Sequence, residues 1–392
     1  MTNYLQQKTL HTPQIGRRPA RNLGICVVIP VFDEPFLLRT LMNIKKCDLP
    51  SCSVEVIVVI NNGVHVSQQV VERNRAVYLQ ARDWAKANLQ PLLKFHILFH
   101  DDLPKLFANA DLAKKIGMDE AVFRFEKAKR KRGIIAVLDA DCRVEKNYLT
   151  ALEKHFRRRL QPRVCYLNFA FEAVGIHYSD AVYVASLQYE LHLRYLDRAR
   201  KAAGLGASPG NLPTGFATDC ETYQKRGGWS SVLGKSELLQ GAHLLEECVV
   251  IPSPRIKNCR AAGTGNNIRT AVKNKNGLLT FAPECFSVLG QFMSLNGKRK
   301  SAILRELRDC PNCVSAYLKS IDFADCELND ECFSDFFAAV HLQPYLDFSH
   351  QKHYKLSPVL PAAKCYLQST VPDADFEHLS LREMLDFYRK NY

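Results

Sequence analysis

Two carboxylates, Asp139 and Asp141, stand on either side of Ala140 directly behind the apolar run Gly133–Leu138 (GIIAVL). At the end of a buried strand, such a pair can turn its oxygens toward one divalent cation. Mg2+ and Mn2+ favour hard oxygen ligands and usually share them with substrate phosphates. An isolated D-x-D triplet more often does no more than cap the next helix. This one gains weight from its company. Pro30, Phe32, Asp33 and Glu34 close the run Ile25–Val31, Asn61-Asn62-Gly63 closes Val54–Ile60, and Asp101-Asp102 follows Phe95–Phe99.

Short Val- and Ile-rich runs separated by helical stretches predict buried parallel strands in an α/β sheet. The intervening helices are expected over Phe36–Lys46, Val66–Ala87 and Asp111–Lys131. In an open α/β sheet, ligands bind in the crevice outside the carboxyl ends of the strands. Four successive polar strand ends therefore describe one binding cleft. Beyond Tyr148 the pattern turns more helical, with an amphipathic stretch over Ser179–Ala203. Two breaker-rich loops, Gly204–Gly215 and Pro252–Gly265, interrupt it, and a helical appendage follows from about residue 274.

Taken in order, four blocks resemble the GT-A nucleotide-sugar glycosyltransferases, family 2. The first is Cys26–Glu34, similar to the opening strand and its nucleotide-contacting turn. The second is Val56–Ile60 with Asn61-Asn62-Gly63, where amides stand in place of the family's base-contacting Asp. The third is Asp139-Ala140-Asp141, matching the metal-binding D-x-D. The fourth is Gly227-Gly228-Trp229 with Ser236-Glu237, similar to the acceptor-side turn and the acidic motif after it. Two further stretches resemble a bacterial subgroup: Tyr189–Tyr195, and the loop carrying Arg255, Arg260 and Gly263-Thr264-Gly265.

The resemblance implies a GT-A type, Rossmann-like, mostly parallel sheet flanked by helices. It implies a catalytic domain over 23–272; the polar tail over residues 1–22 and the helical extension over 273–392 are read from the sequence pattern and lie outside the resemblance. Mn2+ or Mg2+ would be held by Asp139 and Asp141. The donor would be met by Pro30, Phe32, Asp33, Glu34, Asn61, Asn62, Asp139, Arg255 and Arg260. Glu237 falls where the family carries its catalytic base; Asp219, Glu221 and Glu246-Glu247 are the next carboxylates to consider. Without a catalytic role, Glu237 is an exposed residue on a helix over Lys235–Leu245. The activity implied is inverting transfer of a sugar from a nucleoside diphosphate to a hydroxyl of a glycan, lipid or protein. A catalytically decayed nucleotide-sugar-binding protein is the alternative that Asn61-Asn62 and Ser236-Glu237 suggest. A nucleotidyltransferase is disfavoured because no Gly-rich, Lys/Arg-bearing loop follows the first strand.

Composition sets the outer bounds. The 392 residues carry 53 Lys plus Arg against 40 Asp plus Glu, a formal charge of +13. Hydrophobic residues at 47% and charged ones at 24% suit a folded chain rather than a disordered one. No apolar run reaches the roughly 18 residues of a membrane-spanning helix, and Met1–Arg21 has no apolar signal core, so a cytoplasmic protein is expected. The fourteen cysteines read mainly as buried thiols. Only Cys310, Cys313, Cys326 and Cys332 approach ligand spacing, and five residues lie between the last two, unlike a zinc ribbon. The basic clusters Lys127–Arg132, Arg157–Arg159 and Lys298–Lys300 lack interleaved aromatics, so no nucleic-acid partner is expected. They leave peripheral contact with an anionic membrane, at its inner face, open.

Overall fold

The structure is a computed structural model. It describes residues 3–63, 66–103, 110–158, 163–172, 175–178, 215–229, 237–239 and 242–255, with Val182, Tyr183, Ser186 and Glu190. The chain divides into two units, Met1–Ala170 with Pro209–Ser253 and Phe171–Ser208 with Pro254–Tyr392. The sheet and its helices belong to the first.

Four strands follow the apolar runs: β1 (Leu23–Val31), β2 (Ser53–Gly63), β3 (Leu93–Leu103) and β4 (Ile134–Leu138). They pair in parallel in the order β3-β2-β1-β4. The intervening helices are α2 (Leu37–Lys45), α3 (Gln68–Ala87) and α4 (Ala110–Lys127). Helices cover both faces, which is why β1 and β2 are apolar along nearly their whole length. Ile25, Val27 and Ile29 of β1 and Val54, Val56 and Val58 of β2 share one core with α2, α3 and α5 (Tyr148–Arg157). On the other face α4 lies unusually close to the sheet. A Cβ on Gly117 would fall 2.4 Å from a Val28 methyl and 3.1 Å from one of Val59, so only glycine permits that approach.

The rest of the sheet departs from the helical expectation. Beyond Tyr148 the chain adds β6 (Val164–Phe169), β7 (Gly215–Asp219) and β8 (His243–Ile251), beside the two-residue β5 (Arg143–Val144). These extend the sheet to β3-β2-β1-β4-β7-β6-β8-β5. β7 runs antiparallel to both β4 and β6, β6 and β8 are parallel, and β5 closes the edge antiparallel to β8. A helix over Lys235–Leu245 is not formed. Glu237–Leu239 make a single 3-10 turn, and β8 begins at His243. The acidic pair Glu246-Glu247 hides the strand's period in sequence; it coincides with the register shift where β8 pairs with β6.

The first residues, read from sequence as a polar tail, pack against α4. Tyr4, Leu5 and Ile15 are buried, and α1 (Asn3–Gln7) begins the segment. Unlike a surface helix, α4 is buried nearly all round, and its polar side chains are used to hold this segment. Glu120 accepts the backbone N–H of Gln14 at 2.9 Å and of Ile15 at 3.1 Å. Arg124 reaches the carbonyls of Ile15 and Arg17 and grips Glu55 of β2 bidentately, at 2.6 and 2.7 Å. Burial would raise the Glu55 pKa, but the bidentate Arg124 guanidinium, with the His96 ring 3.7 Å from Oε2, outweighs it and brings it down to about 2.

No disulfide joins the described cysteines, all of which are buried. Burial pushes the Cys52 thiol up to about 11 and that of Cys165 up to about 12, so both stay protonated at neutral pH. The Cys310–Cys332 cluster lies outside the described residues. Among the described residues no helix is long and apolar enough to cross a membrane.

Replacing Arg124 by Met should cost about 3–5 kcal/mol in urea unfolding, because Glu55 is left buried and charged with no guanidinium and only the His96 ring 3.7 Å away. The acid limb carries the sign. Glu55 titrates lower in the folded chain than its ordinary 4.5. Its contribution is therefore whole above that pH and is lost as the pH falls toward about 2. In Arg124→Met, acid unfolding should begin at higher pH; an unchanged acid midpoint would show the pair contributes nothing.

Candidate functional site

Strand order reverses between β1 and β4, and that is where an open α/β sheet presents a ligand crevice. The pairing shows the opening. β1 and β4 last pair at Val28 and Val137, whereas β1 stays paired with β2 as far as Val31 and Ile60. Pro30, which has no N–H to give a ladder, sits in the stretch of β1 that has lost its β4 neighbour.

The chain leaves β1 through a tight turn. Phe32 is exposed, and Asp33 takes a left-handed backbone with φ of 50°, a conformation Asp tolerates better than most residues. Two residues on α3 hold it there. The Arg73 guanidinium donates to both Asp33 carboxylate oxygens, at 2.7 and 2.9 Å. The Asp33 N–H donates to Asn74 Oδ1 at 2.9 Å. Asn74 is fully buried and donates from Nδ2 to Asn62 Oδ1 and, at 3.5 Å, to the carbonyl of Asn61. One amide thus ties the end of β1 to the end of β2. Its orientation follows from chemistry: only the oxygen can face the Asp33 N–H, so Nδ2 must face β2. Glu34 turns inward, is buried, and accepts the Phe36 N–H at 3.0 Å.

Behind β4, Asp139 and Asp141 are both partly exposed, flanking the buried Ala140. The turn is fastened from α2. The Thr40 hydroxyl lies 2.7 Å from the Ala140 carbonyl oxygen and 2.9 Å from that of Cys142, and Asn43 Oδ1 accepts the Val144 N–H. Helix α2 starts at the β1 turn and ends by gripping the β4 turn, so the two carboxylate-bearing loops are set by one rigid element. The donor set suits a hard cation, since Mg2+ and Mn2+ are typically bound by one or two carboxylates together with phosphate and water oxygens. Among the described residues no third His, Cys, Asp or Glu joins them in a closed protein cage of the kind structural zinc requires.

The Gly227-Gly228-Trp229 turn approaches from the α4 side. Trp229 stacks on Phe216, whose register partner is Val137 of β4. Lys114 of α4 sits 5.6 Å from the Trp229 ring centre. The indole N–H is buried and finds no acceptor among the described residues. Gly228 has φ of 80°, and a Cβ there would meet the Tyr4 hydroxyl at 2.0 Å. Tyr4 and Tyr223 both donate to Asp119 Oδ1, at 2.7 and 2.8 Å, and Lys115 completes the buried cluster at 2.9 Å from Oδ2. The N-terminal helix is therefore part of what seats this turn.

The other carboxylates divide clearly. Asp219 caps the short helix α6 (Cys220–Lys225) by accepting the Thr222 N–H, and lies beside Ile134 at the far end of β4 from Asp139. Glu221 is paired with Lys225 and Arg132. Glu246 and Glu247 are exposed on β8, and Glu247 meets Arg158. Glu237 opens the 3-10 turn. Arg255 belongs to the second unit, and Arg260, Ser236 and most of the Pro252–Gly265 loop lie outside the described residues. Asn61 and Asn62 are fully buried rather than open to a ligand. Sequence reading passed over Thr40, Arg73 and Asn74. Asn74 sits in the charged stretch Glu72-Arg73-Asn74-Arg75, which reads as solvated surface.

No family model matches the chain, and no curated protein matches it. Among solved structures it is similar to the mannosyltransferase PcManGT from Pyrobaculum calidifontis in complex with GDP-Man and Mn2+. That likeness has 14% identity, 95% of this chain and 93% of that one covered, and a TM-score of 0.37. It is also similar to S. aureus TarS 1-349 in complex with UDP-GlcNAc, at 12% identity, 93% and 89% coverage and a TM-score of 0.32. Identities and scores this low say nothing of what this chain does.

Asn74→Leu should leave the Asp33 N–H and Asn62 Oδ1 without their partner, each costing about 1–3 kcal/mol. Amide hydrogen exchange should then speed up at the ends of both β1 and β2. Protection unchanged at either end would contradict the clamp.

Proposed function

We propose that this chain transfers a sugar from a nucleoside-diphosphate donor to a hydroxyl acceptor, inverting the anomeric centre. One observation carries the reading. The Asp139-Ala140-Asp141 turn emerges at the switch point beside the β1 turn, with α2 fastening the two loops together. The order of the sequence blocks supports the choice of sugar transfer among the reactions such a crevice could host.

On this reading residues 23–272 form the catalytic domain and 273–392 an extension. The β1 turn, held by Arg73 and Asn74, seats the nucleoside, with Phe32 exposed at its rim. Asn61 and Asn62 act from below, shaping the floor of that turn. Asp139 and Asp141 would hold Mn2+ or Mg2+, which when bound supplies Lewis-acid neutralisation of the leaving diphosphate. Glu237 takes the proton of the acceptor hydroxyl as that oxygen attacks the anomeric carbon. The C–O bond to the diphosphate breaks as the new glycosidic bond forms.

A second reading, nucleotide-sugar binding without transfer, draws on Asn61 and Asn62: the end of β2 offers buried amides where a base-reading carboxylate is expected. The two part on turnover. Asp141→Asn should abolish metal-dependent donor turnover with the fold intact, and EDTA should do the same to the parent protein; indifference to both would remove the metal assignment. Glu237→Gln should lower kcat by at least about a hundredfold with donor affinity little changed. A defect in donor affinity alone would mean another residue is the base. Saturable UDP or GDP binding with neither transfer nor donor hydrolysis would favour the second reading.

A further inference from the structure

A helix that packs against a sheet normally turns charge and polarity to water on its outer side. Helix α2 does not. Its inner stripe is Leu37, Thr40, Leu41 and Ile44. The outer stripe, at helical spacing, is Phe36, Arg39, Met42 and Lys46, with the Arg39 guanidinium 4.5 Å over the Phe36 ring. Phe36 is 40% exposed and Met42 44%. Phe32 before the helix and Leu49 after it are 42% and 41% exposed. Eight large hydrophobic side chains are that open among the described residues, and these four fall within one eighteen-residue stretch.

Cations are interleaved with them. Arg39 and Lys46 are exposed on the helix, and Arg143 and Lys146 are exposed on the loop it grips, against the exposed carboxylates Asp48 and Glu145. The two segments are contiguous: Asn43 holds the Val144 N–H, and the Asp48 N–H donates to the Lys146 carbonyl. The basic run Lys127–Arg132 differs. It caps α4 beside the start of β4, and no large hydrophobic is exposed within it. Cations alone give a solvated surface, whereas aromatic and aliphatic side chains set among cations match the headgroup region of an anionic bilayer.

We propose that the outer face of α2, with the Arg143–Lys146 loop beside it, is a docking surface for an anionic lipid membrane. Apolar side chains enter the headgroup region and the cations meet lipid phosphates. Thr40, on the opposite, buried stripe of the same helix, holds the Asp139–Asp141 turn. It rests on no property of the reaction proposed above.

The test is sedimentation of the full chain with vesicles of neutral phosphatidylcholine alone, or with phosphatidylglycerol added. The parent should bind the anionic vesicles, release with rising salt, and bind the neutral ones at least about tenfold more weakly. Phe36→Ser with Met42→Ser should weaken binding to anionic vesicles at least about tenfold, with melting and UDP-induced stabilisation unchanged. Lys127→Ser with Lys131→Ser should leave binding close to the parent's. Three results would overturn the proposal: no parental binding to anionic vesicles, full binding by the Phe36/Met42 variant, or a concentration-dependent dimer that this variant abolishes while vesicle binding is absent. Loss of UDP-induced stabilisation in the parent would count against the donor site, and not against the surface.

Discussion

A single buried amide holds the candidate site together. Asn74 accepts from the first loop of the crevice and donates to the end of the neighbouring strand, filling its hydrogen-bonding capacity in one direction only. A carboxamide is the side chain that can do both at once from the middle of a helix. The left-handed Asp33 persists because Asn74 fixes its backbone and Arg73 its side chain, which is how a strained residue survives at a working turn. On the far side of β1, the Thr40 hydroxyl does the equivalent for the Asp139–Asp141 turn. Both loops are thereby referred to helices that are anchored in the main core. Sites placed on rigid elements in this way keep their geometry better than sites on unsupported loops.

The opposite face uses polarity differently. Helix α4 is wrapped by protein on all sides, and a wholly apolar helix there would not specify which segment covers it. Lys115, Asp119, Glu120 and Arg124 supply that specificity: each meets a particular hydroxyl, amide, carbonyl or carboxylate. Paired charges at such depth add little net stability but are costly to break. The consequence reaches the site, because the Tyr4 hydroxyl held by this cluster is also the group that forbids a side chain at Gly228.

The parallel half of the fold was legible because buried strands advertise themselves as apolar runs with polar ends. The position of Asp139-Ala140-Asp141 behind such a run pointed to the same strand end at which the strand order reverses. The antiparallel half was not legible. β7 is only Gly-Phe-Ala-Thr-Asp, and β8 carries Glu246-Glu247 at its centre, so neither shows a clean period. Residues 3–22 read as polar because only a few apolar side chains, Tyr4, Leu5 and Ile15, anchor them, and the rest of their attachment runs through backbone N–H and carbonyl groups that sequence pattern does not display. Asn74 was hidden for the same reason. Its partners are one backbone N–H, one carbonyl and one amide, and its neighbours on the helix are charged.

The central claim is that Asp139 and Asp141 become a metal site only together with a nucleoside diphosphate in the β1–β4 crevice. Electron paramagnetic resonance of Mn2+ reads this directly, because the free aqueous ion gives a sharp signal that is lost on binding. Protein alone should remove little of that signal. Protein with UDP or GDP should remove much more than the nucleotide alone, and Asp139→Asn should abolish the excess. Equal loss of signal in the parent and Asp139→Asn, or no excess with either nucleotide, would contradict the account.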